Sequence, residues 1–513
     1  MVKRAGNVFV TAYLILIFGI YPLYMKQGYV EIGEAKFRFF IFASLAALVI
    51  LGLIGLIYAG QVLSRRIRCR EAYLIDWNRV SAIDLLVILY ATELFVSYAF
   101  SDFQKEALWG TEGWYMGLVL LLTLCGLYFL ISRFWAGERS VWYVGLAASA
   151  MVFLFGILDR FSIYLIPLEV RDPAFISTLG NINWFCGYLT IWAPVGICLF
   201  LFHKKRRKLY GAYAIIAFMA GFCQGGSSIF LFWGALFFTL LWIAVKKKEW
   251  TADYFLLLFL WSLSAQLVRL IRLIAPEGYN YDRNNLCSYL TESNTTLFMG
   301  VAALCGYFFL HLKWKGYRNK KQQESVHKIM LLFLLGGIIC WLTVTGINTW
   351  KGIPGLEDRN GLIFDREWGN GRGAAIYSGL QMYGQMPVFH KLFGVGPDCF
   401  SAYAYSLPEV AGELRDYFGA NRLTNAHNEL LTAIVNTGAV GACLFASIFI
   451  LFVKKCMKEG DQNPERYALA VCVVCYFAHN MVSFAQVLNL PFLFLILGMG
   501  NHVSCRQKSC ERK

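Results

Sequence analysis

The sequence predicts an all-α polytopic membrane protein of about 14 transmembrane helices, with one long extracytoplasmic loop. Three observations carry this reading. Of 513 residues, 58% are hydrophobic and only 15% charged, whereas soluble domains carry about a quarter charged. The apolar residues gather in blocks close to the ~20 residues that cross a hydrocarbon core. Stretches such as Phe39 to Ala59 lack the polar face that the helices of a large soluble protein present. Aromatic residues make up 17%, and many lie at block ends, as in membrane-interface belts.

Taken in order, the predicted spans lie near residues 7–25, 39–60, 82–100, 115–131, 141–158, 184–202, 209–224, 229–245, 252–275, 295–312, 329–348, 426–453, 467–484 and 489–504. The first, after a short basic start, resembles a signal peptide; without a small-residue cleavage site it reads as a retained helix. The net charge of +15 fits retention of basic residues on the cytoplasmic side better than a nucleic-acid partner. With the N-terminus inside, inner loops carry 31 Lys and Arg and outer loops 14, seven of them in one loop. The inner runs include Lys204 to Lys208 and Lys246 to Lys248. This predicts an even number of spans, both termini cytoplasmic and a location in the cytoplasmic membrane.

Three regions follow: transmembrane helices over residues 1–348, an extracytoplasmic loop over 349–424, and further helices with a cytoplasmic tail over 425–513. A loop of that length is functional or disordered as a rule. Its apolar pieces, Ile376 to Met382, Val388 to Phe393 and Phe400 to Tyr405, predict that it folds. No pair of inverted halves, the mark of many transporters, is visible. Among fifteen cysteines, Cys287 and Cys399 fall outside and could pair, although spacing alone does not show it. Cys472 and Cys475 lie inside an apolar span, where packing is the expected role, and the thinly spread histidines predict no metal site.

The stretch richest in chemistry runs from Trp368 into the twelfth span. It holds Gly371-Arg372-Gly373, Gly394-Val395-Gly396-Pro397, and His427-Asn428 followed by Gly438 and Gly441. Arginine clasps phosphate oxygens with two parallel hydrogen bonds and stays charged. Flanking glycines admit close approach of the backbone. Histidine accepts or donates a proton near neutrality. The residues therefore suit chemistry on a phosphorylated substrate. They equally suit a plain helix cap at His427 and Asn428 with a solvated Arg372.

His427-Asn428, nine residues, Gly438, two residues and Gly441 resemble the H-N-x9-G-x-x-G signature of the O-antigen ligase and polymerase superfamily. The upstream Gly-Arg, the Gly-x-Gly-Pro turn and Leu179-Gly180-Asn181-Ile182-Asn183-Trp184 occupy matching places, so the resemblance covers roughly residues 170–450. It implies a GT-C-type fold and a metal-independent, inverting glycosyltransferase without cofactor. Such an enzyme passes a glycan from a polyprenyl-pyrophosphate carrier to an acceptor hydroxyl on the outer face. It further implies that His427 stands at the transfer centre and that Arg372 binds the pyrophosphate.

Arg269 and Arg272 share one helix face inside an apolar segment, where a charge usually faces a cavity or partner. Pyrophosphate binding is the favoured expectation, and snorkelling to the headgroups the alternative. One departure stands out. The family's Ser-Arg pair between spans seven and eight is here Gln224-Gly225-Gly226-Ser227-Ser228, so Arg171, Arg269 or Arg272 would supply the missing contact. Asn181 and Asn183 would bind sugar or carrier, or else cap the sixth span. Asp365, Asp398 and Glu429 are lesser acid/base candidates. The residues leave ligase and polymerase equally open, and the rival from another class is a flippase or transporter of lipid-linked oligosaccharide.

Overall fold

The computed structural model describes residues 1–68, 80–168, 171–280, 286–316, 320–356 and 359–502, so the predicted tail from residue 503 onward lies outside the described residues. Its helices, in chain order, are α1 (Val2–Ile15), α2 (Ile32–Arg68), α3 (Ala82–Ala99), α4 (Gln104–Trp109), α5 (Leu118–Phe134), α6 (Arg139–Arg160), α7 (Ile182–Phe202), α8 (Arg207–Cys223), α9 (Ile229–Ala244) and α10 (Lys248–Ile274). There follow α11 (Leu286–Glu292), α12 (Thr295–Leu312), α13 (Lys320–Lys351), α14 (Trp368–Gln385), α15 (Val388–Phe393), α16 (Phe400–Ser406), α17 (Pro408–Phe418), α18 (Glu429–Gly460), α19 (Glu465–Asn480) and α20 (Leu490–Gly500).

Each predicted span coincides with one of these helices. Among the described residues, nine helical segments are long and apolar enough to cross a membrane. Helices α5, α9 and α20 are apolar but shorter. The protein is thus an α-helical polytopic membrane protein. The sequence did not predict the small antiparallel pair Phe175–Ile176 with Gly180–Asn181, which lies directly before α7.

Local chemistry sets the ends. Ser81 and Asp84 form a reciprocal capping box on α3, with N···O distances of 3.1 and 2.7 Å. Helix α1 continues into a distorted stretch that ends at Leu23. There the wholly buried Lys36 donates to the Tyr21 and Pro22 carbonyls at 2.9 Å each, satisfying the helix end from α2.

Helix α7 is apolar all round, as a central helix must be, and every residue from Phe185 to Leu201 is buried. It packs on α8 and α19; α19 in turn meets α9 and α18, and α18 meets α3. Helix α13 is the opposite case, with only Thr345 and Asn348 buried.

Hydrogen bonds between connections respect the predicted alternation of sides. Predicted outer loops meet one another, as in Tyr29 to Ser177, Asn280 to Asp159 and Thr111 to Asp398. Predicted inner segments do likewise, as in Asn7 to Glu138, His203 to Glu465 and Lys246 to Asp461. The long segment between α13 and α18 is helical for much of its length. Its three apolar pieces fall within α14, α15 and α16, and they pack around Met382, Phe400, Leu414 and Val435 as a second core.

Candidate functional site

Residues Gly369, Asn370 and Gly371 all have positive φ (62°, 62° and 87°), so the chain turns sharply before Arg372 enters the regular part of α14. A side chain at residue 373 would place its Cβ 1.7 Å from the Asp365 carbonyl oxygen, which is why glycine stands there. The turn holds Arg372 partly buried. Its Nε donates to the Val482 carbonyl at 2.7 Å and one terminal nitrogen to the Gly369 carbonyl at 2.6 Å. Burial draws the guanidinium below its ordinary value, with the nearby Cys186 thiol opposing the shift.

His427 sits one residue before the cap of α18 in a left-handed conformation, φ 48°, that costs a non-glycine residue energy. Its backbone N–H donates to Asn425 Oδ1 at 3.0 Å, and its ring stands edge-on to Phe484 with centroids 5.2 Å apart. Nδ1 is buried and has no hydrogen-bond partner among the described residues. Asn428 caps the helix through Leu431 N at 3.0 Å. Its Nδ2 also donates to the Met481 carbonyl at 3.0 Å. Arg372 and Asn428 therefore grip consecutive carbonyls just beyond α19. That shared grip joins the Gly-Arg turn to the His-Asn turn.

Burial first, and then the Arg372 charge, push His427 down to about 4. The imidazole is neutral at ordinary pH. A His depressed below its unfolded value of 6.5 contributes stability that is complete above about pH 6.5 and declines as pH falls toward 4. Removing the Arg372 charge relieves one of the two causes. If His427 takes a proton in a reaction, the acid limb of the pH profile is expected near pH 4 in wild type and higher, though short of 6.5 because burial remains, in Arg372→Gln. A profile of kcat/KM against pH checks this, and an unmoved limb would contradict it.

Sequence reasoning missed the α19 side of the site. Glu429 accepts from Tyr476 OH at 2.9 Å and from Asn480 Nδ2. His479 Nδ1 meets Asn480 Oδ1 at 2.8 Å, while His479 Nε2 is buried without a partner among the described residues. The signal was present as a second His-Asn dipeptide, 479–480, at the end of an apolar run. Arg160 was also missed. It is wholly buried and donates to the carbonyls of Pro173, Cys223 and Gln224 at 2.7–3.1 Å. The arginine-free turn after α8 is thus held by an arginine from α6.

The other predicted residues have other partners. Arg269 donates to Asn294 Oδ1 at 2.8 Å. Arg272 pairs with Glu292 at 2.7 Å and lies over the Tyr279 ring at 4.3 Å. Both thereby fasten α10 to the turn between α11 and α12. Arg171 donates to the Ile166 carbonyl at 2.6 Å and stacks 3.6 Å over Tyr164. Asn181 caps α7 by accepting from Asn183 N at 2.8 Å, and the Asn183 side chain is half-buried beside it. Cys287 and Cys399 are buried free thiols, so the pairing left open by spacing is not formed.

The motif glycines have a structural task. Gly438 interrupts α18 with φ 65° and ψ −179°. The 394–396 turn docks there through Val395 N to Val435 O at 3.1 Å and Gly396 N to Asn436 O at 2.9 Å. Next to it Asp398 receives Thr111 N and Met116 N at 2.7 and 3.0 Å, and burial lifts its carboxyl to about 7. Beneath these turns lies a cavity of about 80 Å³ lined in part by Trp114, Asp398, Asn425, Glu429, Asn436 and Phe484.

Fold and site together define a polytopic α-helical membrane protein with a buried arginine and a neutral histidine at one mouth of the bundle. Residues 286–446, from α11 through the kink in α18, match the family model of the O-antigen ligases. This match contains Arg372, His427, Asn428 and both motif glycines of α18, and it supports the O-antigen ligase and polymerase superfamily and an O-antigen ligase-like membrane enzyme. No curated protein matches the chain.

Proposed function

We propose that the protein is a membrane glycosyltransferase that moves an oligosaccharide from a polyprenyl-pyrophosphate carrier to an acceptor hydroxyl. In this reading the chain crosses the cytoplasmic membrane fourteen times in a GT-C-type arrangement. Both termini are cytoplasmic, and the His427 mouth faces outward. The observation that carries the reading is the joining of Arg372 and His427–Asn428 through the consecutive Met481 and Val482 carbonyls.

The acceptor oxygen attacks the anomeric carbon as the bond from that carbon to the pyrophosphate oxygen breaks, so configuration inverts. The acceptor's proton passes to His427, and the leaving pyrophosphate keeps the bonding pair against the Arg372 guanidinium. Burial and, second to it, the Arg372 charge make His427 a weak base. A bound pyrophosphate offsets the second cause, so basicity rises when the carrier is in place. Arginine takes the part that a divalent cation plays in other pyrophosphate chemistry. Arg269, Arg272 and Arg171 are proposed to hold the carrier's outer parts after exchanging their present partners, and Asn181 and Asn183 to line its path beside Cys186.

The test uses purified protein, a polyprenyl-pyrophosphate oligosaccharide and no added metal. Wild type is expected to release polyprenyl pyrophosphate, and His427→Ala to release it at least about 100-fold more slowly. Product size then separates chain extension from attachment to a terminal acceptor. Carrier movement across liposomes without release would replace this reading by a flippase.

A further inference from the structure

At the end of the bundle opposite His427 lies a second, open-mouthed cavity of about 290 Å³. Its floor is apolar, built from Trp142, Val195, Leu199, Leu469 and Met499. Its rim carries Arg139, Tyr143 and His203, together with Arg466, which already pairs with Glu459 at 3.5 Å and donates to the Gly500 carbonyl at 2.6 Å. Two polar groups in its wall are unspent. Trp135 is 93% buried (7% exposed), yet its indole N–H has no hydrogen-bond partner among the described residues. His502 Nδ1 is buried and equally unpartnered, and the two rings stand edge-to-face at 6.2 Å.

An unmatched indole N–H in a wall costs free energy unless something accepts from it. The charge nearby selects the acceptor's sign. His502 feels the positive charges of Lys3, Arg466 and Lys455 together. On the rim Glu465 is already engaged by His203 at 2.6 Å, and Arg139 reaches it only at 4.0 Å. Arg139, with 71% of its side chain exposed, has reach to spare. An anion with an apolar body satisfies all three features: the donors in the wall, the positive rim and the apolar floor. Tryptophan, tyrosine and arginine at a bundle end also mark headgroup level.

We propose that this cavity binds the phosphate of an anionic phospholipid from the adjacent leaflet, with Trp135 Nε1 and the Arg139 guanidinium on the phosphate and an acyl chain along the floor. The site is built from the far ends of the helices that carry the first one. Helix α7 runs from Asn181 and Cys186 to Leu199, and α19 from His479 and Asn480 down to Glu465. A lipid seated there would brace both helices.

The full chain is purified in detergent, stripped of lipid, and offered phosphatidylglycerol, phosphatidylcholine or inorganic phosphate. Retained lipid is counted by native mass spectrometry and protection by thermal melting. Phosphatidylglycerol is expected to be retained and to raise the melting temperature, the other two much less. Arg139→Ala and Trp135→Phe are each expected to weaken its retention about tenfold, by loss of a charge-assisted or a buried donor. The first changes only an exposed side chain and the second only the N–H, and both are expected to melt as wild type does without lipid. Equal retention of phosphatidylcholine would overturn the proposal, as would protection by phosphate alone to the same degree or retention unchanged in both variants.

Discussion

Replacing Arg372 by alanine is expected to slow carrier turnover at least about 100-fold, the usual cost of removing a preorganised donor from developing negative charge. Two physical effects add. On the proposed reading, the leaving pyrophosphate loses a cation that is partly buried and therefore less screened than a surface charge. The partly buried Val482 carbonyl also loses its donor, at about 1 kcal/mol. Arg372→Lys separates the two, because it keeps the charge without the planar fork that spans the Val482 and Gly369 carbonyls. We expect it to recover part of the rate and little of the lost stability. Polyprenyl-pyrophosphate release measures the rate, and thermal melting in detergent measures the fold. If Arg372→Ala kept full release at normal protein levels, the pyrophosphate assignment would fall.

Gly438→Ala is expected to be severely destabilising for the addition of a single methyl. Backbone at φ 65° and ψ −179° is essentially restricted to glycine and costs other residues about 1–3 kcal/mol. A Cβ there would also lie 2.2 Å from both the carbonyl carbon and oxygen of Leu392. Those are main-chain atoms and do not swing aside. Undocking the 394–396 turn would release Val395 N and Gly396 N from α18 as well. Together we expect at least about 3 kcal/mol of destabilisation, seen as a loss of monodisperse protein in size-exclusion chromatography. Gly412→Ala in α17 is the control. Its Cβ would meet nothing within 4 Å, and a helical glycine with open space beside it gains up to about 1 kcal/mol from alanine. If both variants behaved alike, the steric account of the motif glycine would be wrong.

Much of this protein was written in the order of its residues. Blocks of about twenty apolar residues located the helices, since a bilayer imposes both length and composition on whatever crosses it. The distribution of Lys and Arg predicted which connections share a side, and the loop-to-loop hydrogen bonds follow that division. The Gly-Arg and His-Asn motifs were legible because each needs unusual backbone, with positive φ at residues 369–371, 427 and 438.

Tertiary structure alone decided what those motifs meet. That Arg372 reaches Val482, and Asn428 the carbonyl before it, depends on how α14, α18 and α19 pack, over separations of 110 and 53 residues. The Glu429–Tyr476–Asn480 cluster and the service of Arg160 to the turn after α8 are of the same kind. So are the partners of Arg269 and Arg272, which spacing on one helix face could not name. Packing of apolar helices is nearly non-directional, so composition fixes that they pack but leaves little local trace of which faces meet. A buried donor must nevertheless find an acceptor, and only the assembled bundle determines which one lies within 3 Å.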